Sequence, residues 1–258
     1  MSLQNQKIDS LLKFADPVIA SVLDKALSEK EILPDEALSL FDAKGIDFHL
    51  VGMVADILRK RRVGDTVTYV VNRNINFTNV CIKQCGFCAF SRDFREEEGY
   101  FLPIDEILRR AKEAYHYGAS EVCIQAGLPP DMDANLYENI CRGIKNEIPD
   151  IHIHGFSPEE VLYGATRQAI SPREYLIKLK EAGVDTIPGT AAEILNQDLR
   201  DKISPGRITV DDWVDIIKTA HKLGIKSTST MMFGHLETNE DRVNHIATIR
   251  EIQKESGG

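Results

Sequence analysis

The chain has 258 residues, of which 43% are hydrophobic and 28% charged, and its formal net charge at pH 7 is −9. This composition is typical of a soluble globular protein with one large domain or two small ones. The acidic excess argues against a general nucleic-acid or anionic-membrane surface, so neither partner is expected. No apolar run approaches the roughly 20 residues of a membrane helix, and the N-terminal segment lacks the features of a signal peptide. We therefore expect a cytoplasmic protein with reduced cysteines.

Residues 1–62 are interpreted as an N-terminal helical segment. Apolar residues recur at helical spacing between Leu11 and Ala26. Pro34 is placed to open a second short helix, and Gly45 to end it. A third apolar stripe runs from Leu50 to Leu58. This segment contains no pattern of ligands, so its role is predicted to be packing.

From residue 63 to residue 258, strand patterns alternate with amphipathic helical patterns. The predicted strands lie within Thr66–Thr78, Glu121–Gln125, Ile151–His154, Val184–Ile187 and Lys226–Phe233. The predicted helices lie near 104–115, 136–144, 171–183, 209–223 and 238–255. Regular alternation of this kind favours an α/β fold with a parallel sheet and helices outside. Polar or glycine-rich loops follow the strands, and in a parallel barrel such loops share the rim where ligands bind.

Five strand–helix units are fewer than the eight of a closed barrel, which typically needs about 250 residues. The expected fold is therefore a TIM-type (β/α) barrel that is incomplete at its C-terminus and carries an N-terminal helical extension. An open sheet leaves an unpaired edge strand. We therefore expect this chain to be a truncated or partial form with poor activity.

Three cysteines lie close together in the stretch NRNINFTNVCIKQCGFCAFSR, residues 72–92. Cys81, Cys85 and Cys88 have the spacing C-x3-C-x2-C. Three thiolates can hold a [4Fe–4S] cluster and leave one iron open to a small molecule. A zinc site is disfavoured because it needs four ligands and no Cys or His follows until His116. Disulfides are disfavoured in a reducing compartment, and a chance group of structural cysteines is a further alternative.

The cysteine spacing, with Phe87 directly before Cys88, resembles the motif of the radical S-adenosylmethionine (SAM) superfamily. In that superfamily the open iron chelates SAM, which is cleaved to methionine and a 5′-deoxyadenosyl radical. Other segments are similar to the tyrosine-using subunit of FO synthase, 5-amino-6-(D-ribitylamino)uracil–L-tyrosine 4-hydroxyphenyl transferase. They include HIHGFSPEEV, IPGTAAEIL, ISPGRIT and STMMFGHLET, and the resemblance covers most of residues 66–258.

This resemblance implies a radical SAM transferase with a [4Fe–4S] cluster and SAM as cofactors. Its substrates would be L-tyrosine and 5-amino-6-(D-ribitylamino)uracil. In the family's reaction, the Cα–Cβ bond of tyrosine breaks and the 4-hydroxybenzyl group joins the uracil, on the route to FO and coenzyme F420. The second FO synthase subunit and an electron donor would be partners. The alternatives are a menaquinone-pathway enzyme of the aminofutalosine synthase or dehypoxanthine futalosine cyclase type, a non-catalytic iron–sulfur protein, and a truncated inactive relative.

The resemblance and the loop positions also mark candidate site residues, although they assign no catalytic residue. The cluster ligands are Cys81, Cys85 and Cys88, the SAM-binding candidates are Phe87, Gln125, Gly127 and Glu193, and the substrate-binding candidates are His154, Ser157, Thr190, His235 and Glu237.

Several of these candidates have a structural alternative. Phe87 could serve in loop packing, and Gly127 in a turn before two prolines. Ser157 could cap a following turn, while Thr190 and Glu193 could begin a helix. His235 and Glu237 could be solvated loop residues. His152 and His154 are two apart on a strand and so share one face, where hydrogen-bonded histidines are favoured over a metal pair.

Overall fold

A computed structural model describes residues 8, 10–83, 85–93, 95 and 98–257. The helices are α1 (Pro17–Leu27), α2 (Pro34–Phe41), α3 (Ile46–Val63), α4 (Ile104–His116), α5 (Leu136–Glu147), α6 (Pro158–Gln168), α7 (Pro172–Ala182), α8 (Gln197–Ile203), α9 (Val210–Lys222) and α10 (Asn239–Ser256). The strands are β1 (Asn72–Ile75), β2 (Glu121–Ile124), β3 (His152–Gly155), β4 (Thr186–Ile187) and β5 (Lys226–Ser227). In the described part of the chain, no helix combines the length and apolarity needed to cross a bilayer.

The chain forms two compact units, one of residues 1–69 with 238–247 and one of residues 70–237 with 248–258. The first unit contains α1, α2 and α3. Helix α1 begins at Pro17, which occupies the first turn, and Asp16 caps it by accepting hydrogen bonds from the backbone N–H groups of Val18 and Ile19. Its core is apolar and consists of Ile8, Leu12, Ile19, Leu23, Ala26, Leu50 and Val54. The division into domains at residue 62 stays a prediction.

The second unit is built on a parallel sheet with strand order β1-β2-β3-β4-β5. Neighbouring strands are joined in sequence order, as the alternation of strands and helices predicts. Val122, Ile124 and Ile153 are fully buried in the core that the sheet shares with its helices. Within the described residues, β1 pairs only with β2 and β5 only with β4, so this part of the sheet is open. The predicted α/β fold with a parallel sheet is confirmed.

One predicted strand is longer than the observed one. The strand predicted over Lys226–Phe233 has only two residues, whereas β1 lies within Thr66–Thr78 as predicted and occupies four of its residues. Val67 and Tyr69 are each 88% exposed, so β-branched and aromatic residues here find no neighbouring strand to pack against. Strand propensity depends on such neighbours, which local sequence does not contain.

Two helices, α6 and α8, were not expected from the sequence. At the start of α6, the Ser157 hydroxyl accepts a hydrogen bond from the Glu160 N–H, and the Glu160 carboxylate accepts one from the Ser157 N–H. This reciprocal pair is a capping box, and Pro158 fills the first helical position. Asn196 caps α8, which has only seven residues and therefore little periodicity to recognise.

Candidate cluster and cofactor site

The three cysteines of the C-x3-C-x2-C motif line one cavity of about 130 Å³. Their thiols are free and partly buried. The loops that follow β1, β2 and β3 all contribute to this cavity, as expected for the shared rim of a parallel sheet. Residues far apart in the sequence are thereby brought to one place.

Backbone hydrogen bonds hold the cysteine loop against the neighbouring loops. The Ile82 N–H donates to the carbonyl oxygen of Leu128 at 2.9 Å, and the Gly86 N–H donates to that of Ile203 at 2.8 Å. Within the loop, the Cys88 N–H donates to the Cys85 carbonyl oxygen at 3.1 Å. Because these bonds use main-chain atoms, the positions of the cysteines depend on the fold of the unit.

The surroundings of the thiols affect their protonation differently. Burial raises the pKa of the Cys85 thiol to about 11, although the positive charge of Arg207 acts in the opposite direction. Burial also acts to raise the pKa of Cys88, but hydrogen bonds from Ser91 and Phe90 outweigh it and lower the pKa. Metal ligation needs thiolates, so loading of this site is expected to release protons.

The donor set fits a [4Fe–4S] cluster better than a single metal ion. No group of three His, Cys, Asp or Glu side chains in the described residues is arranged to hold one metal ion. In a cubane cluster each thiolate binds a different iron, so the sulfurs need not converge on one point. Backbone N–H groups of Lys83 and Ser91 lie 3.4 Å from the sulfurs of Cys81 and Cys88. Such donors stabilise negative charge on cluster sulfurs.

A network of alternating charges borders the cavity. Its ion pairs join Lys83 Nζ to Glu159 Oε1 at 3.3 Å, Arg207 Nε to Glu159 Oε2 at 3.3 Å, Arg207 Nη1 to Glu193 Oε1 at 2.9 Å, and Arg200 Nη1 to Glu193 Oε2 at 3.4 Å. Burial acts to lower the pKa of Arg207, but interactions with the carboxylates of Glu193 and Glu159 and with Cys85 outweigh it and raise the pKa. Arg207 is therefore a permanent positive charge beside the cysteines.

Arg200 ties this network to the main chain. Its Nη1 donates to the carbonyl oxygens of Ala191 and Ala192 at 2.8 Å, and its Nη2 donates to that of Ile208 at 2.7 Å. Glu159 in turn accepts from the Ile208 N–H at 2.7 Å. The buried guanidinium and carboxylate thus fix the loops after β3 and β4.

Glu160 joins the loop after β2 to the start of α6. Its carboxylate accepts from the Ser157 N–H at 2.7 Å, from the Ser157 hydroxyl at 2.6 Å and from the Ala126 N–H at 2.9 Å. Burial raises the pKa of Glu160 to about 7, although these hydrogen bonds favour the charged form. The loop after β2 and the start of α6 both line the cavity.

The predicted site residues divide into two groups. Besides the cysteines, Phe87, Gly127 and Ser157 line the cavity, and Glu193 joins it through Arg207. The others, Gln125, His154, Thr190, His235 and Glu237, are not among the residues lining this cavity.

These remaining candidates have partners of their own. The carbonyl oxygen of Thr190 accepts from Trp213 Nε1 at 3.1 Å. His235 Nδ1 lies 3.3 Å from the Glu237 carboxylate, which also accepts from the His235 N–H. The Gln125 carbonyl oxygen accepts from Asn76 Nδ2 at 2.8 Å. His154 Nδ1 lies 2.8 Å from Thr186 Oγ1, within hydrogen-bond distance.

Several residues that line the cavity were not predicted from the sequence, among them Lys83, Glu160 and Arg207. Glu160 could have been found, because it stands three residues after Ser157 as in a capping box. Lys83 lies between the first two cysteines, and Arg207 lies in the segment ISPGRIT that carries part of the resemblance. Lys83 and Arg207 both form ion pairs with Glu159, which lies in the first turn of α6. These three residues are far apart in the sequence, so only the fold brings them together.

Comparison with known protein families supports the interpretation of the cysteine motif. The family described as the Radical SAM superfamily matches residues 75–249. The chain belongs to the radical SAM superfamily. Enzymes of this superfamily use a [4Fe–4S] cluster and SAM, so the resemblance predicted from the motif is confirmed.

Three relatives show how much of the chain is shared with proteins of similar sequence. A 5-amino-6-(D-ribitylamino)uracil–L-tyrosine 4-hydroxyphenyl transferase of Methanothermobacter thermautotrophicus is 47% identical over 237 residues, covering 92% of this chain and 64% of the relative. The protein of the same name from Methanocaldococcus jannaschii is 50% identical over 233 residues, covering 89% and 65%. An FO synthase of Streptomyces coelicolor is 44% identical over 241 residues, covering 93% and 28%. The chain thus spans less than two thirds of the length of these relatives.

Solved radical SAM structures have the same fold. A crystal structure of HydG, a maturase of the [FeFe]-hydrogenase, matches with a TM-score of 0.70 at 18% identity, covering 98% of this chain and 55% of that one. Methylornithine synthase (PylB) matches with a TM-score of 0.68 at 19% identity, covering 90% and 64%. At these identities the similarity concerns the fold alone.

Proposed function

We propose that this radical SAM chain cleaves the Cα–Cβ bond of L-tyrosine and transfers the 4-hydroxybenzyl group to 5-amino-6-(D-ribitylamino)uracil. The observation that carries the proposal is the single cavity lined by Cys81, Cys85 and Cys88. The names of the two archaeal relatives, at 47% and 50% identity, contain both substrates and support this choice. They favour FO synthesis over the menaquinone pathway.

In this proposal the three cysteines hold the cluster as thiolates. When bound, the cluster and SAM supply the radical that starts the reaction. Arg207 places positive charge beside Cys85 and Cys88, which acts in favour of their ionised form. The SAM-binding residues proposed are Phe87, Gln125, Gly127 and Glu193, and the substrate-binding residues proposed are His154, Ser157, Thr190, His235 and Glu237.

We also propose an electron donor and the second FO synthase subunit as partners. A radical reaction of this class begins with one electron, which the described residues do not themselves supply. The five cysteines are free, which supports a reducing compartment such as the cytoplasm.

The test is anaerobic reconstitution of the chain with iron and sulfide, followed by incubation with SAM, a reductant and tyrosine. Formation of 5′-deoxyadenosine that depends on tyrosine is expected, and addition of the aminouracil should give the coupled product by mass spectrometry. A parallel incubation replaces both substrates with a futalosine precursor. Consumption of that precursor, with tyrosine left intact, would contradict the proposed substrates. A reconstituted chain without a cluster would contradict the chemistry altogether.

A further inference from the structure

The face of the sheet that points away from its helices carries polar side chains. On β2 and β3, every second residue is buried on the helix side, so the intervening residues lie on the opposite face. These are Glu121, Cys123, His152 and His154. Barrel interiors are usually filled with branched apolar side chains. We therefore expect these four side chains to have a role other than packing.

One hydroxyl group connects the two histidines. Thr186 Oγ1, on β4, lies 2.7 Å from His152 Nε2 and 2.8 Å from His154 Nδ1. A hydroxyl has a single proton to donate. At most one of the two nitrogens can accept that proton, and the other has to carry its own proton and donate it. The tautomers of the two imidazoles are therefore linked.

Glu121 decides the direction of this linkage. One carboxylate oxygen lies 3.8 Å from His152 Nε2, and the other accepts from Asn72 Nδ2 at 3.1 Å. The negative charge favours a proton on His152 Nε2. That N–H then donates to Thr186. The hydroxyl oxygen could accept a second bond, but among the described residues the two imidazole nitrogens are the only hydrogen-bond partners of Thr186 Oγ1, so its own proton goes to His154 Nδ1. The remaining ring proton of His154 is consequently on Nε2.

His154 is also in surroundings that favour its neutral form. Burial lowers its pKa, and this effect and that of His152 outweigh the opposing effect of Glu121. The residue paired with it in register on β2 is Cys123, and the one on β4 is Thr186. Neither neighbour carries a fixed charge that would favour an imidazolium.

We infer that the Glu121–His152–Thr186 chain holds His154 as a neutral imidazole with its proton on Nε2, which donates a hydrogen bond to an acceptor oxygen of the bound ligand. The chemistry recognised is a carbonyl or phenol oxygen. The choice of ligand rests on the proposed function, whose substrates offer the carbonyls of the uracil and the phenol of tyrosine. The assignment of the tautomer does not depend on that function.

Nitrogen NMR of the full chain labelled in its histidine rings tests the tautomer directly. The signals of His154 are identified by their loss in His154→Gln. At neutral pH we expect a pyridine-type shift for Nδ1 and a pyrrole-type shift for Nε2. If the unmodified protein shows the reverse pattern of shifts, or two protonated nitrogens, the inference is overturned.

Thr186→Val and Thr186→Ser form a matched pair for the role of the hydroxyl. Valine keeps the β-branched shape and removes the donor, so His154 should become a mixture of tautomers. Serine keeps the hydroxyl and should retain the single form. Glu121→Gln should likewise weaken the preference by removing the charge that orients the chain. An unchanged His154 spectrum in both Thr186→Val and Glu121→Gln would show that the chain does not hold the tautomer.

Equilibrium binding then identifies the acceptor, with tyrosine and the aminouracil measured separately. His154→Leu should weaken one of them about tenfold, the usual size of one lost hydrogen bond, while His154→Gln, which keeps an N–H donor, should weaken it less. Loss of tyrosine affinity points to the phenol, and loss of uracil affinity to a carbonyl. Unchanged affinity for both would refute the ligand contact. Tyrosine turnover with the wrong tautomer would refute this inference and leave the proposed function standing.

Discussion

Gly127 lies so close to Val80 that a side chain at position 127 would collide with the main chain. A Cβ atom built there would be 2.2 Å from the Val80 carbonyl oxygen and 2.8 Å from the carbonyl carbon. Val80 directly precedes Cys81, the first cysteine of the motif, and the Gly127 N–H donates to the Thr78 carbonyl oxygen at 3.0 Å. The loop after β2 therefore serves as a support for the cysteine loop.

Substitution Gly127→Ala is predicted to displace the cysteine loop, because backbone atoms cannot move aside as a flexible side chain can. We expect less iron per chain after reconstitution and a lower melting temperature. The control is Gly52→Ala within α3, where nothing lies within 4 Å of the added carbon. That change should stabilise the protein by about 0.5–1 kcal/mol. Normal iron content in Gly127→Ala would contradict the supporting role.

Replacement of the three motif cysteines by alanine is predicted to abolish the brown colour and the charge-transfer absorption of the reconstituted protein, because thiolates are the cluster's ligands. Cys123→Ala provides the control, since Cys123 is also free and partly buried but lies on β2 outside the cavity. It should retain the absorption. Iron and sulfide analysis checks both proteins, and a cluster that persists without the motif cysteines would refute the assignment.

Arg207→Ala is predicted to destabilise the second unit by about 3 kcal/mol, the lower end of the range for breaking a buried ion pair, because Glu159 and Glu193 each lose one cationic partner and keep only Lys83 and Arg200, respectively. The comparison is Arg109→Ala, which removes an exposed arginine paired with Glu106 on α4. Exposed ion pairs contribute little, so its effect should be much smaller than that of Arg207→Ala. Urea unfolding measures both, and a loss in Arg207→Ala no greater than in Arg109→Ala would be inconsistent with a structural network.

Local sequence was sufficient for the helix starts and the cysteine motif. Ser171 and Thr209 cap α7 and α9 at the starts of the helices predicted near 171–183 and 209–223, because capping depends on residues three positions apart. Strand length was less predictable, since β5 ends after Ser227 although β-branched residues continue. Whether such residues pair is decided by strands elsewhere in the fold.

The charged part of the site could not be predicted for a related reason. Arg207 and Glu159 are 48 residues apart, and their ion pair exists only because two rim loops meet. The same holds for the link from Glu160 to Ala126, which are 34 residues apart. Spacing within one loop reveals the cysteine motif, whereas residues that support the loop from another strand have no such pattern.

Two capping boxes in this chain have the same hydrogen bonds and opposite electrostatics. Glu160 bonds to Ser157 in a buried position, and burial raises its pKa to about 7. Glu174 bonds to Ser171 at the surface, and the hydrogen bond from Ser171 lowers its pKa. Burial therefore decides the sign of the shift. Glu160 contributes stability at low pH that is lost as pH rises through about 7, and Glu174 contributes stability that is lost as pH falls.

The variant Glu160→Gln is predicted to remove a pH-dependent loss of stability. In the unmodified protein, the folded state retains the Glu160 proton longer than the unfolded state, so the free energy of unfolding should fall between the ordinary glutamate pKa and about 7. A shift of this size corresponds to a change on the order of 3 kcal/mol. Urea unfolding across this pH range should show a flatter profile for Glu160→Gln. Glu174→Gln should instead remove stability at higher pH, and identical slopes in both variants would contradict the role of burial.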